Sequence, residues 1–149
     1  MAADDPTRIY VCYERDSAAL AARLDAWPRT NADAEEYLRR LDTPMASAAA
    51  EPIRARLREQ IRAADVTVCL VGDETSDSAW IAWEIEESKR GPSRNGLVAV
   101  KLQEYSLPPT GIMSCGAIFV SFQREKVARA IEWAAGEPHS DEDYTLVDD

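Results

Sequence analysis

The chain holds a single histidine in 149 residues, His139, and it sits in an acidic C-terminal stretch. A fold without imidazole in its interior excludes Ser–His and Cys–His hydrolase chemistry and most zinc sites. There is no glycine-rich phosphate loop of the G-x-G-x-x-G or Walker kind, so dehydrogenase and P-loop readings fall away. No apolar run approaches the roughly 18 residues of a membrane span, and the acidic start MAADDPTR does not read as a signal peptide. The expected location is therefore cytoplasmic. Cysteines are few and odd in number: Cys12, Cys69 and Cys115 lack metal-ligand spacing and read as reduced thiols, the first two in apolar strands. Cys115 has no base to activate it and is not expected to be a nucleophile. No metal and no cofactor are called for.

Positive charge is also short. The formal net charge is −10, and six of the acids fall between Gly136 and Asp149, where no Lys or Arg occurs. Without a basic stripe, neither nucleic acid nor an anionic membrane is an expected partner. The length suits one domain with one core, assigned to residues 1–135, followed by an acidic tail at 136–149 that is expected to be flexible.

What is present is a regular alternation. Arg8–Tyr13 reads as a buried strand, and Asp16 and Ser17 offer N-cap chemistry to a helix with Leu20, Leu24 and Trp27 on one stripe, closed by Pro28. Residues 29–52 are illegible: 34–41 fits a helix or a poor edge strand. Ile53, Leu57 and Ile61 then mark a clear helix and Val66–Gly72 a buried strand. Ser78 caps a helix over Ala79–Lys89, a Gly/Pro/Ser/Asn loop leads to strand Leu97–Leu102, and strand Ala117–Phe122 precedes helix Arg124–Ala135. Parallel strands need right-handed helical crossovers, so helices must cover both faces. The expected fold is α/β, a flavodoxin-like three-layer sandwich with a parallel sheet of order 2-1-3-4-5. Its switch point lies between the first strand and Val66–Gly72, so the loops Tyr13–Ser17 and Gly72–Ser78 should flank one crevice.

Within Ser78–Lys89 the period places Ile81, Ile85 and Ser88 toward the sheet, with Trp80, Glu84 and Glu87 on a neighbouring stripe. Glu84 is thus expected one turn beyond Trp80, looking toward the loop rather than the core. A carboxylate beside an indole loses solvation and gains a platform for a flat ligand. The same three acids, Glu84, Glu86 and Glu87, also fit a plain solvated helix face. Arg15, near the first amides after Ser17, suits either a phosphate or ordinary surface charge. Asp73 and Glu74 are weak candidates for magnesium.

The segments RIYVCYERD, IRARLREQIRAADVTVCLVGDETSDSAWIAWEIEESK and GLVAVKL resemble TIR domains, closest to the TIR-like proteins of Thoeris antiphage defence. The resemblance spans residues 8–135, is strongest over 53–102, and weakens at 29–52, where such proteins carry a second strand and a loop that serves in assembly or covers the pocket. It implies that Glu84 is the catalytic glutamate of an enzyme that cleaves the nicotinamide–ribose bond of NAD+ and releases a cyclic ADP-ribose-type signal. Tyr13 and Trp80 then become stacking candidates, and Arg15, Thr75 and Ser78 polar contacts to substrate. The implied partners are NAD+ as substrate, further copies of the chain on activation, a phage-derived trigger, and a separate effector reached through the product. Two other readings stay open: a non-enzymatic TIR-like scaffold or sensor that acts by association, and a nucleoside deoxyribosyltransferase-like enzyme.

Overall fold

A computed structural model describes residues 6–73, 75–90, 94–103, 106–113, 116–136 and 144–145. Cys115, Glu74, His139 and the acids of the tail lie outside them. Five parallel strands run in the order β1 (Ile9–Cys12), β2 (Val66–Val71), β3 (Gly96–Lys101), β4 (Ile118–Ser121) and β5 (Tyr144–Thr145). Strands β1 and β2 are buried at every position, the mark of a sheet covered on both faces. Register places Tyr10 beside Thr67 and Cys12 beside Cys69. Thr67 meets Ser88 across 2.7 Å, so Tyr10, Cys12, Thr67 and Cys69 face helix α4 (Ala79–Ser88). Alternate positions face α5 (Arg124–Ala134). A Cβ added at Gly96, paired with Val66, would lie 2.0 Å from the Ala134 carbonyl oxygen, so the strand and helix touch there only because glycine has no side chain.

The 2-1-3-4-5 order is present with its second strand almost gone. Arg29 makes one isolated parallel bridge to Ile9, through Ile9 N–H to Pro28 O and Thr30 N–H to Ile9 O, both 2.9 Å. Beyond it, side chains do the work of a strand along the outer edge of β1. Asn31 accepts from Val11 N–H (3.1 Å) and donates to Val11 O (2.7 Å), as a peptide unit would. Two residues on, the Tyr37 hydroxyl accepts from Tyr13 N–H (3.2 Å) and Arg40 donates to Tyr13 O (3.2 Å). An edge strand buried without a neighbour must have these groups satisfied, and three side chains do so.

The first helix is shorter than the stripe Leu20–Leu24–Trp27 predicts. α1 is only Ala18–Ala21, after a 3-10 turn at Arg15–Ser17, and neither Glu14 nor Ser17 makes a side-chain cap bond. Residues 34–41 resolve as α2 (Ala34–Leu38), capped by Asp33 accepting from Glu36 N–H at 3.1 Å, then a 3-10 turn at Arg39–Asp42. α3 (Ala50–Ala63) buries Leu57, Gln60 and Ile61 and packs beside α4. The far edge carries β5, two residues of the acidic tail paired to Ile118 and Phe119.

Candidate functional site

α4 begins where Ser78 Oγ accepts from Ile81 N–H at 3.2 Å, fixing the helix one short loop after β2. Its phase then settles where Glu84 goes. Trp80, Ile81, Glu84, Ile85 and Ser88 are all buried, so the inward face is broad and includes the acid. The expectation that Glu84 looks toward the loop is corrected: the residue is 0% exposed and faces β1. Burial of a carboxylate requires partners, and four contacts supply them. Oε1 accepts from the Tyr10 hydroxyl (2.8 Å) and Arg40 Nε (2.9 Å); Oε2 accepts from the Tyr37 hydroxyl (3.0 Å) and, more loosely, Arg40 Nη2 (3.4 Å).

Arg40 is itself 1% exposed. Its guanidinium lies 4.0 Å from the centre of the Tyr37 ring, so one planar cation is held by a carboxylate at its edge and an aromatic face beneath. Burial is the largest single influence and opposes that charge, but the Glu84 carboxylate and the Tyr37 and Tyr10 hydroxyls together outweigh it and the guanidinium pKa moves upward. The neighbouring groups rise too, which for them favours the neutral form. Burial and then the Glu84 charge push the Tyr10 hydroxyl and the Cys12 thiol well above their ordinary values. Tyr37 also rises, chiefly through burial, although Arg40 pulls the other way. All three therefore stay protonated near neutrality, and the hydroxyls can only donate to Glu84. Two buried atoms in this cluster have no hydrogen-bond partner among the described residues: Arg40 Nη1 and Tyr13 Oη.

The sequence candidates divide into two groups. Tyr13, Arg15, Trp80 and Glu84 converge, and what they converge on is the segment that replaces the second strand. Arg15 pairs with Asp42 at 3.0 Å, Trp80 Nε1 donates to Thr43 O at 3.0 Å, the Tyr13 carbonyl and Glu84 hold Arg40, and the Tyr13 ring lies 4.7 Å from that of Tyr37. Thr75 and Ser78 are not brought to Glu84. The Thr75 hydroxyl accepts from Gly72 N–H (2.8 Å) and donates to Leu70 O (3.2 Å), which closes the turn after β2. Ser78 is occupied as the α4 cap. The two expected loops do meet: a Cβ at Gly72 would lie 3.3 Å from Ser17 Oγ. Yet Glu84 itself is fully covered. A cavity of about 340 Å³ runs along Tyr13, Ala18, Trp27 and Arg29, and Glu84 is not among the residues that line it.

Sequence reasoning missed Tyr10, Tyr37 and Arg40. Tyr10 carried a usable signal, since a tyrosine within a buried strand needs an acceptor for its hydroxyl. The Tyr37-x-x-Arg40 pair lies in a segment too weakly patterned to have been placed. Among the described residues no group of three or more His, Cys, Asp or Glu is arranged to hold a metal, and no helix is long and apolar enough to cross a membrane. Cys12 and Cys69 are buried and free.

No curated protein matches the chain. The family profile described as the TIR-like domain of Thoeris protein ThsB matches residues 10–106. That span takes in β1, the side-chain-built edge, α3, β2, α4 with Glu84, and β3. The chain belongs to the TIR-like domain family of the Thoeris antiphage-defence protein ThsB.

Proposed function

We propose that this TIR-like defence domain cleaves the nicotinamide–ribose bond of NAD+, with Glu84 as the catalytic carboxylate and a cyclic ADP-ribose-type signal as product. The observation that carries the reading is the Glu84 site itself: a carboxylate inside the fold, oriented on both oxygens by tyrosine hydroxyls and already matched to a planar cation. The reaction asks for that complementarity. Nicotinamide departs neutral from a cationic ring, so no acid is needed to protonate it, whereas ordinary glycosides need a second carboxyl group. What the barrier requires is a fixed negative charge beside the oxocarbenium-like ribose, in a site screened from water. Tyr10 and Tyr37 hold the carboxylate in place, and its backing by two donors leaves it no freedom to reorganise during the reaction. Such a mechanism works without histidine.

NAD+ is the substrate in this reading, assembly of several copies accompanies activation by a phage-derived trigger, and the product acts on a separate effector. Purified chain incubated with NAD+, alone and with extract of phage-infected cells, should release nicotinamide, and Glu84→Gln should abolish it. Each tenfold in rate corresponds to about 1.4 kcal/mol of barrier. Turnover unaffected by the substitution would refute the assignment. The tight Glu84–Arg40 pair favours one competing reading, a non-enzymatic module in which the pair is core structure; there the substitution lowers stability while no condition yields nicotinamide.

A further inference from the structure

In the described structure the Glu84 site is full, and its occupant is part of the chain. We infer that Arg40 is a built-in substitute for the substrate's cation, carried on a lid of residues 33–43 that must lift before NAD+ reaches Glu84. This rests on the reading of Glu84 as the NAD+-cleaving carboxylate. The chemical likeness is specific. Pyridinium and oxocarbenium are planar cations, and so is a guanidinium. Arg40 lies on the Tyr37 ring at 4.0 Å and presents Nε to Glu84 Oε1 at 2.9 Å, so it satisfies the charge and the flat face together. A lysine would meet only the first requirement.

The attachment of the segment fits a lid. Among the described residues, no backbone–backbone hydrogen bond ties residues 33–43 to the sheet or to α4; the bonds there are local turns such as Tyr37 N–H to Asp33 O and Thr43 N–H to Arg40 O. α2 is five residues long, too short to persist by helix propensity. The segment is held by side chains. Two of its ties are exposed ion pairs, Arg15–Asp42 and Arg56–Glu36, of a kind that contributes little. The stronger ties are the buried ones: the Arg40–Glu84 pair, the Tyr37 hydroxyl and Arg40 on the Tyr13 backbone, and Trp80 Nε1 on Thr43 O. Lifting the lid breaks them together and returns both charges to water rather than stranding either one. The pair is also imperfect as pure structure. A buried ion pair is favourable when its remaining donors are satisfied, yet among the described residues Arg40 Nη1 and Tyr13 Oη find no partner. With the lid raised, Tyr10, Tyr13, Trp80 and the Glu84 carboxylate would line the space vacated by Tyr37 and Arg40.

A closed form that competes with substrate lowers apparent affinity by the fraction of molecules that are open. Arg40→Ala should therefore raise kcat/KM for NAD+, measured without trigger, by at least about tenfold. Millimolar ethylguanidinium, which refills the vacated place, should repress Arg40→Ala and leave the wild type unaffected. Asp42→Ala loosens the same segment from its exposed side without touching Glu84, so it keeps the test decisive where Arg40→Ala fails to fold; it should raise turnover more than about twofold. Equal turnover in the wild type, Asp42→Ala and folded Arg40→Ala overturns the lid and leaves the catalytic reading standing. Absence of nicotinamide release in every variant, with and without infected-cell extract, overturns the catalytic reading and the lid with it.

Discussion

Removal of the Arg40 guanidinium as Arg40→Met leaves the Glu84 carboxylate in the interior with the Tyr10 and Tyr37 hydroxyls but without the cation that pairs it. Breaking a buried pair from one side typically costs about 3–5 kcal/mol, because a charge is left uncompensated. A protein of this size is stable by about 5–15 kcal/mol, so the loss would be a large share. At roughly 2–4 °C per kcal/mol, the melting temperature should fall by about 6–20 °C. Glu84→Gln strands the guanidinium and should cost about as much, whereas Arg40→Met/Glu84→Gln buries no net charge and should fall short of the summed single losses by about 2–3 kcal/mol. The lid sets a ceiling on this. Where raising residues 33–43 costs less than burying a lone charge, the variant opens instead, and the penalty equals the opening free energy. Urea denaturation separates the two cases: an opened native state exposes more surface, so the slope with denaturant falls, and the amides of 37–43 lose exchange protection. Single losses below about 1 kcal/mol that add independently, with slope and protection unchanged, would refute the buried pair, because only an exposed pair behaves so.

Three further outcomes are expected. Asn31→Ala leaves both Val11 backbone groups at the sheet edge unpaired and should destabilise by about 2–6 kcal/mol in urea titration, at about 1–3 kcal/mol per unmet group. Gly96→Ala forces β3 away from the Ala134 carbonyl and should cost at least about 1–3 kcal/mol, with a loss under 0.5 kcal/mol counting against the close approach. Cys12 and Tyr10 have folded pKa values raised above their ordinary 9.0 and 10.0. A folded state that keeps protons the unfolded state has released loses stability as pH rises, so this contribution is intact below about pH 9 and declines above it. Cys12→Ala should shallow that decline in a pH series of thermal melts.

The run α3–β2–α4–β3 was legible because each helix carries a clean stripe and each strand an unbroken apolar run. The location of Glu84 was not. The 3.6 period set it beside the Ile81–Ile85 stripe, and only the donors opposite it decided that the helix would turn it inward. Apart from Tyr10, those donors come from residues 37–40, where neither period can show because a five-residue helix passes directly into a 3-10 turn: Asn31, Tyr37 and Arg40 act one by one as side-chain replacements for a strand. The same absence explains the missing second strand. The overestimate of α1 arose from Leu20–Leu24–Trp27, of which only the first lies within the four-residue helix; Leu24 is buried although it lies beyond the helix end. Thr75 and Ser78 were placed correctly beside the helix start, but their hydroxyls are committed to the turn and the cap.

The most direct measurement follows nicotinamide release from NAD+ by wild type, Arg40→Ala and Arg40→Ala/Glu84→Gln side by side. A carboxylate that does the chemistry beneath an arginine that blocks it predicts that the single variant exceeds wild type and the double variant falls to background. Equal release by the single and double variants would contradict it.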